Sequence, residues 1–556
     1  MANVVPSGTV SLGAIAAGAA EATFAEQDFV TFDNAGSASP TVRIDGTVHP
    51  SAVVVDADAV AYAFTGNGGI AGHAPFTKRG TNTLTVSTAN SYTKPTTIEA
   101  GRYVLNGTLD GTSITVAHQA SLDQRAGGVI AGDDIAINLG YGDHYLRGTN
   151  TFTGTVRFDT RNHGLEFAQT KNVYLYLSGS NALGNASSVT IYGYSGENNH
   201  FPNLTLTDNT FISGTTFVAG NVFGQRTYIA KDSSAASVGW HGDIVGESGA
   251  GSGAALQIIN WGNSSNGAFE IGAPGGTNEM RGKVASFNFR GGGVIKCYSR
   301  IAFDGGIWPN RNDAGTAILY ATNNSFGGIS LTQGTLQAGR ANVIPASASV
   351  SIGKDSDDNS FSTLNLDGFD QTIAGFYENN VNRTKHANRV MTPEGKPATL
   401  TVNGSSNRSW GSSHSWIQGP LTLVKAGSHN FTLNGTNTYT GATLMQAGTL
   451  TLNSAKALGG TTNVVLTGGT IAANASGAFN AGGTLTVPSP ASGTLSLADG
   501  TTQTVEWLVI NGHPQPAGVY SKAKAGAESR LAFLARGTGS GTLLVRKGAG
   551  AVLIFR

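Results

Sequence analysis

The sequence predicts an all-β protein, a right-handed parallel β-helix with capping regions at both ends. Three observations predict it: internal repeats, short alternating runs between turn residues, and a composition low in charge and high in glycine. The chain has 556 residues, of which 78 are glycine and 12% are charged, about half the charged share of an average soluble domain. Such a composition supplies many tight turns and few charged helices.

The repeats are visible by direct alignment. Residues 78–106 align with residues 425–453 without a gap, and 11 of the 29 positions are identical. Weaker copies lie at 323–339 and 147–158. Repetition at this scale indicates stacked structural units. The identical pairs include Lys78 and Lys425, Gly80 and Gly427, Asn90 and Asn437, and Tyr92 and Tyr439.

Between the repeats, short runs alternate apolar and small polar residues and then reach Gly, Asn or Asp-Gly. "NLTLTDNTFISG" and "GGISLTQGTLQAG" are two of these runs. Alternation over four to six residues is typical of strands, and stacked short strands bury the continuous interior of a solenoid. A string of β-sandwiches is the alternative, because sandwiches also place strands at this spacing.

The phrase "GTNTYTG" at 435–441 is interpreted as a corner followed by a strand. Glycine permits a positive φ at a corner, and asparagine can adopt the left-handed conformation or bond to its own backbone. The aromatic residue of each copy is expected to cover a corner or to stack on the next coil. The predicted structural corner aromatics are Tyr92, Phe152, Phe326 and Tyr439.

Three regions are predicted: an N-terminal cap and opening β segment at 1–70, the β-solenoid at 71–500, and a C-terminal β cap at 501–556. The Ala-rich start could form one short helix. Pro514 and Pro516 would interrupt a strand ladder. The final apolar residues form a possible assembly strand, either tucked onto its own cap or lent to another subunit by strand addition, so end-to-end self-association is expected. That strand comprises Ala551, Val552, Leu553, Ile554 and Phe555.

Composition also argues against several classes of protein. Lys plus Arg equals Asp plus Glu at 34 each, and no basic run offers a phosphate footprint, so no nucleic-acid partner is expected. No run approaches 18 apolar residues, so no membrane span is expected. The lone Cys297 excludes an internal disulfide framework and is expected to be a buried small hydrophobe.

Two clusters carry residue types that cleave or bind sugars. The first, "DDIAINLGYGDHYLR", is interpreted as turn residues. The second, "DGGIWPNRND", is the better sugar-binding set because an aromatic platform lies beside a carboxylate and an arginine, but it too is interpreted as turns rather than as an acid–base pair. The first set is Asp133, Asp134, Asp143, His144 and Arg147, and the second is Asp304, Trp308, Arg311 and Asp313.

Other motifs are weaker. Asp355, Asp357 and Asp358 lack the spacing of a calcium-binding EF-hand loop and are interpreted as a solvated turn. His241 and Asp243 are residue types of a catalytic triad, but the sequence has no G-x-S-x-G motif to supply the serine nucleophile. The sequence therefore predicts no catalytic residue, cofactor or metal site.

At the repeated phrase, the chain resembles a known family. Residues 427–452, "GSHNFTLNGTNTYTGATLMQAGTLTL", are similar to the passenger-associated transport repeat, also called the autotransporter-associated β-strand repeat. Residues 363–376 look like the phrase between such units, and residues 30–72 like their opening segment. The resemblance implies a β-helical passenger on, or released from, a bacterial surface.

The expected function is that of a non-enzymatic extracellular structural protein, acting as a surface adhesin, a stalk or a self-assembling fibre subunit. A glycan or another surface ligand is a possible partner. The alternative is a glycan-degrading β-helix, either a polysaccharide lyase or a phage tailspike.

Overall fold

A computed structural model shows two compact units, one of residues 1–287 and 293–303 and the other of residues 288–292 and 304–556. The assembly strand at 551–555 lies outside the described residues, as do Arg311, Asp313 and the aspartates at 355–358. The described residues are 2–5, 9–11, 24–38, 40–160, 173–193, 202–207, 209–220, 226–234, 236–247, 255–263, 265–283, 285–309, 314–353, 360–379, 386–412, 414–526 and 528–548.

In the first unit, strands stack along four sheets, called sheets 1, 2, 3 and 4. Pairing within each stack is parallel, and each strand pairs with its counterpart one coil later. Leu84 pairs with Tyr103 and Tyr103 with Leu122, so these two successive coils are equal in length. The exception is the first strand, Ala2–Val5, which also pairs antiparallel with Thr9–Ser11.

Sheet 1 contains Ala2–Val5, Thr9–Ser11, Thr41–Ile44, Tyr62–Thr65, Thr83–Val86, Arg102–Leu105, Ser121–Gln124, His144–Leu146, Val173–Ser178, Pro202–Thr207, Arg226–Lys231 and Ala255–Asn260. Sheet 2 contains Phe29–Asp33, Ala52–Asp56, Phe76–Arg79, Thr96–Ile98, Ile114–Val116, Ile135–Leu139, Thr153–Asp159, Asn185–Tyr192, Thr216–Ala219, Ile244–Gly246, Glu279–Gly282 and Arg300–Ala302. Sheet 3 contains Thr47–Val48, Gly69–Gly72, Ala89–Tyr92, Thr108–Asp110 and Val129–Ala131. Sheet 4 contains Phe211–Ser213, Val238–His241, Phe269–Ile271 and Val294–Cys297. A further strand, Ser286–Arg290, contains residues of both units.

The second unit repeats this plan. Leu423 pairs with Thr443, Thr443 with Val464, and Val464 with Leu485, so these three successive coils are nearly equal in length. Its parallel stacks contain Gly306–Pro309, Gly328–Leu331, Ser349–Ile352 and Gly375–Glu378; Thr316–Leu319, Gly334–Ala338, Ser360–Asn365, His386–Met391 and Ser415–Gln418; Gln371–Ile373, Ala398–Val402, Leu421–Lys425, Thr443–Met445, Asn463–Leu466, Thr484–Val487 and Trp507–Ile510; and Arg408–Trp410, Asn430–Leu433, Thr449–Leu452, Gly469–Ala473 and Gly493–Leu497.

Alternation in the sequence explains the core. In Thr449–Leu452 the leucines face inward and are buried, whereas the threonines are half-buried. Leu450, Ile471 and Leu495 lie in register on successive coils and are each 0% exposed. Burying a side chain of this size contributes about 2 kcal/mol, and the stacking turns that gain into a continuous apolar column.

The strands at the end of the second unit depart from parallel stacking. His513–Pro514 pairs antiparallel with Trp507–Ile510, and proline suits a sheet edge because it has no N–H to donate. Gly518–Ser521 pairs antiparallel with Thr542–Val545, which in turn pairs parallel with Thr502–Val505. Helix Ala532–Ala535 packs against strand Gly493–Leu497. The other short helices are Asn34–Ala38, Lys522–Ala525 and Ser529–Leu531.

The predicted parallel β-solenoid is confirmed, with strands dominant and helix at 3%. The β-sandwich alternative is wrong, because sandwiches are built from antiparallel pairs and the long stacks here are parallel. The predicted cap boundaries at 70 and 500 stay predictions. The expected N-terminal helix has no counterpart to compare, since residues 12–23 lie outside the described part. Among the described helices, none is long and apolar enough to cross a membrane.

Candidate functional site

The repeated lysine is buried at a corner. Lys425 is 0% exposed, and its Nζ donates to the carbonyls of Ala426 at 2.6 Å, Gly427 at 3.0 Å and Ala447 at 2.9 Å. Lys78 donates to the three equivalent carbonyls at 2.5, 2.7 and 3.2 Å. An ammonium group has three donors, so each one is used. Burial lowers the pKa of Lys425 to about 8.

The glycine after this lysine is required by its backbone. Gly80 has a φ of +66° and Gly427 a φ of +69°, a region that L-residues rarely adopt. A Cβ on Gly80 would lie 2.4 Å from the carbonyl oxygen of Ala57 in the preceding coil. The lysine and glycine therefore fix the corner together.

The repeated asparagine joins neighbouring coils. Asn437 Oδ1 accepts the backbone N–H of Ile417 at 2.8 Å, and its Nδ2 donates to the carbonyl of Ala457 at 2.6 Å. Asn90 accepts the N–H of Ile70 at 3.1 Å and donates to a carbonyl of the following coil. Neither residue has a positive φ. The left-handed conformation, one of the two alternatives expected for this asparagine, is therefore wrong for these two copies. The other alternative, a bond to nearby backbone, is seen at Asn90, whose Nδ2 also donates to the carbonyl of Thr88 at 3.1 Å.

The repeated tyrosine anchors a chain of hydroxyl groups. Tyr439 OH lies 2.7 Å from Thr443 Oγ1, which lies 3.3 Å from Thr461 Oγ1 in the next coil. Tyr92 OH lies 2.8 Å from Thr96 Oγ1 in the same way. Buried hydroxyl groups need such partners. The "Y-T-x-x-T" spacing of the repeat follows from this need.

The four predicted corner aromatics are all buried. Tyr92 is 1% exposed, Phe152 0%, Phe326 4% and Tyr439 0%. The stack between Tyr92 and Phe76 has ring centroids 5.8 Å apart. That the four occupy equivalent corners stays a prediction.

A different set of residues lies on the outer side of sheet 1. Asp123 alternates with inward-facing residues yet is 0% exposed, because three guanidinium groups surround it. Arg125 and Arg147 each lie 2.9 Å from its carboxylate, and Arg102 contacts it as well. One negative charge therefore faces three positive ones.

Tyrosines continue this set along the next coils. Tyr145 pairs in register with Asp123 and with Tyr176. The rings of Tyr145 and Tyr176 stack at 4.9 Å, and those of Tyr174 and Tyr176 at 5.2 Å. The guanidinium of Arg147 lies 4.3 Å from the Tyr145 ring centroid, a cation–π distance. The Arg–Tyr cluster is Arg102, Asp123, Arg125, Tyr145, Arg147, Tyr174 and Tyr176.

A cleft of about 390 Å³ opens beside the Arg–Tyr cluster. Asp143 lies in it, and its Oδ1 accepts the backbone N–H of Tyr174 at 3.1 Å. Burial, followed by the neighbouring tyrosines, raises the pKa of Tyr176 to about 12, so its hydroxyl stays protonated at neutral pH. The cleft is lined by Arg102, Gln119, Ala120, Ser121, Tyr141, Gly142, Asp143, Tyr145 and Val173.

The first sequence cluster is divided by the fold. Asp143 and Arg147 belong to the cleft and the Arg–Tyr cluster, whereas Asp134 has a φ of 55° in a turn and Asp133 accepts the Thr153 hydroxyl at 3.4 Å. His144 faces inward. It bonds to the carbonyl of Gly140 at 2.9 Å and to a backbone N–H at 3.3 Å, and burial lowers its pKa to about 4.

The other candidates are not brought together into a site. Asp304 is exposed and Trp308 is half-buried. Asp243 is 2.7 Å from Arg281, whereas His241 lies 3.7 Å from Glu270. Within the described part of the chain, no group of three or more His, Cys, Asp or Glu residues could hold a metal ion.

Six members of the Arg–Tyr cluster were not predicted from the sequence, since they come from four successive strands of sheet 1 with no shared motif. A signal could have found them: they lie on or directly after strands that stack in register on sheet 1. They are Arg102, Asp123, Arg125, Tyr145, Tyr174 and Tyr176.

Comparison with known families gives one match. The model of the Passenger-associated-transport-repeat matches residues 76–102, 311–338 and 423–452. The chain carries three passenger-associated transport repeats. Two contain the buried lysine, asparagine and tyrosine described above, and the third overlaps the copy at 323–339. Such repeats imply export to the bacterial surface or the medium. No curated protein and no solved structure matches the chain.

Proposed function

We propose that this protein is a non-enzymatic extracellular structural protein, a β-solenoid adhesin or stalk of a bacterial surface. The strongest support is that the residues shared by the passenger repeats are buried and hold the coils together. Lys425, Asn437 and Tyr439 are all buried, and each bonds within or between coils. The repeated residues thus maintain an architecture and present no reactive group to a substrate.

The positions of the candidate carboxylates support the same proposal. Asp123 is shielded by three arginines, Asp143 holds the backbone of Tyr174, and Asp304 is exposed on a bend. A glycosidase needs two carboxyl groups facing one sugar bond, one of them protonated. The alternative, a glycan-degrading β-helix, rests on the cleft that contains Asp143.

The experiment measures whether the folded protein cleaves polysaccharides. Purified protein is incubated with acidic and neutral bacterial polysaccharides, and reducing ends are measured over time. No release above a heat-denatured sample is expected. Release that is abolished by Asp143→Asn or Asp304→Asn, with the melting temperature unchanged, would establish the alternative.

End-to-end self-association is a separate part of the proposal. The predicted assembly strand at 551–555 either tucks onto its own cap or is lent to another subunit. Negative-stain microscopy of the full chain, and of a chain lacking residues 548–556, separates these two alternatives. Loss of filaments with intact folding supports strand lending, whereas loss of folding supports tucking.

A further inference from the structure

We infer that the Arg–Tyr cluster and its cleft form a binding site for a linear acidic polysaccharide that carries carboxylate or sulfate groups. The inference rests on the proposed surface function, because it names the class of ligand that such a protein would hold.

The charge of the cluster is the first argument. Arg102, Arg125 and Arg147 contact one carboxylate, that of Asp123, which leaves an excess of two positive charges. The arginine side chains are 43%, 45% and 28% exposed, whereas Asp123 is 0% exposed. The three arginine side chains therefore contact the buried carboxylate and remain partly exposed to the solvent.

The geometry of guanidinium is the second argument. Its planar fork matches carboxylate and sulfate oxygens and remains charged at any physiological pH. Asp123 holds three such forks on one side of the sheet, so it acts as a positioning residue. Its own burial would be costly without these partners.

The arrangement along the coils is the third argument. Asp123, Tyr145 and Tyr176 lie on three successive strands of sheet 1, which are spaced about 4.8 Å apart. The tyrosine ring faces stack on one another and on Arg147, which leaves ring edges and hydroxyl groups to meet a ligand. A chain lying across the coils would place an acid group at the arginines and its hydroxyl groups at the tyrosines.

The cleft distinguishes a saccharide from a nucleic acid. Ser121, Gln119 and the Asp143 carboxylate line it beside Arg102. Such groups bond to sugar hydroxyl groups, which a polysaccharide carries on every ring and DNA lacks along its backbone. A nucleic acid also needs a longer basic footprint, whereas this chain has equal numbers of basic and acidic residues.

The test measures binding of the full chain by titration calorimetry. The probes are oligogalacturonate for carboxylate, heparin oligosaccharide for sulfate, neutral dextran, and a single-stranded DNA of similar length. At least one acidic saccharide is expected to bind, more weakly at high salt. Preference for oligogalacturonate or for heparin identifies the acid group.

The variants are Arg125→Gln and Tyr176→Ala, with Arg43→Gln as a matched control. Arg43 is 53% exposed and pairs with Asp45 on the same sheet, outside the cleft. Loss of a charge-assisted hydrogen bond should weaken binding about tenfold for Arg125→Gln, and Arg43→Gln should bind like the wild type. Each variant's melting temperature is measured to confirm folding.

Three results would overturn the inference: dextran bound as tightly as the acidic saccharides, DNA bound more tightly than either, or folded Arg125→Gln and Tyr176→Ala proteins with unchanged affinity. Each of these leaves the proposed structural function standing. That proposal fails only on the separate measurement of saccharide cleavage.

Discussion

The interior of the passenger repeats and the Arg–Tyr cluster use polar residues in opposite ways. Inside the repeats, Lys425, Asn437 and Tyr439 bond to backbone carbonyls and hydroxyl groups, and the arrangement recurs at Lys78, Asn90 and Tyr92. The cluster instead gathers three arginines around one carboxylate. The difference shows that recurrence in this sequence marks architecture, and that ligand chemistry is to be sought in residues outside the recurring set.

The largest effect is expected from truncating a repeated tyrosine. Tyr439→Ala removes a ring that is 0% exposed and should lower the free energy of unfolding by about 3 kcal/mol or more. Tyr439→Phe keeps the ring and loses only the bond to Thr443, which should cost about 1 kcal/mol. Urea unfolding measures both. Equal stability of the alanine variant and the wild type would contradict the architectural role.

The interior beneath the cluster should respond to acid through His144. The pKa of His144 is about 4 in the folded chain and 6.5 in the unfolded chain. Between these two pH values, the unfolded chain therefore binds a proton at His144 that the folded chain does not bind. The free energy of unfolding should fall by about 3 kcal/mol from this residue between pH 6.5 and pH 4. His144→Gln should flatten the decline relative to the wild type, and the exposed His513→Gln should not. Parallel pH profiles for wild type and His144→Gln would refute this.

A smaller effect is expected from the corner lysine. Lys78→Met leaves three carbonyl groups without their donor and should lower the free energy of unfolding by about 2 kcal/mol. Lys94 is exposed, so Lys94→Met is the matched control and should change stability by less than about 0.5 kcal/mol. Thermal unfolding of the pair separates a corner bond from a general loss of charge. Equal destabilisation by Lys78→Met and Lys94→Met would contradict a specific role of Lys78 at the corner.

The smallest effect is expected at an acidic residue outside both regions. Asp304 is exposed on a bend, so Asp304→Asn should leave stability within about 0.5 kcal/mol and leave saccharide binding unchanged. Calorimetry and melting temperature test both statements. Weakened saccharide binding would move the candidate site from the Arg–Tyr cluster to the region of Trp308.

The fold could be predicted because short sequence patterns determine its strands and turns. The alternation in "TLTL" and the recurring phrase "GTNTYTG" can both be interpreted from residues adjacent in the sequence. Both predicted the parallel stack of strands. The partners of Asn437 could not be predicted, since they are backbone groups of the coils on either side, far from it in the sequence. Asn437 does not adopt the left-handed conformation, one of the two alternatives expected for it, because its side chain bonds to the neighbouring coils instead.

The candidate site was predicted only in part. Asp143 and Arg147 were named because they lie within one short segment. Arg102, Asp123 and Tyr176 belong to other coils, and nothing in the local sequence shows that they meet. Their contact depends on the register, which unequal coil lengths conceal, because the coil from Tyr145 to Tyr176 is much longer than the coil from Arg102 to Ser121.

The bridging asparagine has a consequence for how such chains change in length during evolution. Asn437 accepts from the coil before it and donates to the coil after it, so its partners are backbone groups that any coil supplies. Duplicating or deleting one whole coil would rebuild each of these bonds without a compensating substitution. Removing half a coil would break them and turn inward-facing residues outward. Natural relatives are therefore expected to differ in length by whole coils, and insertions within a coil should be confined to the turns.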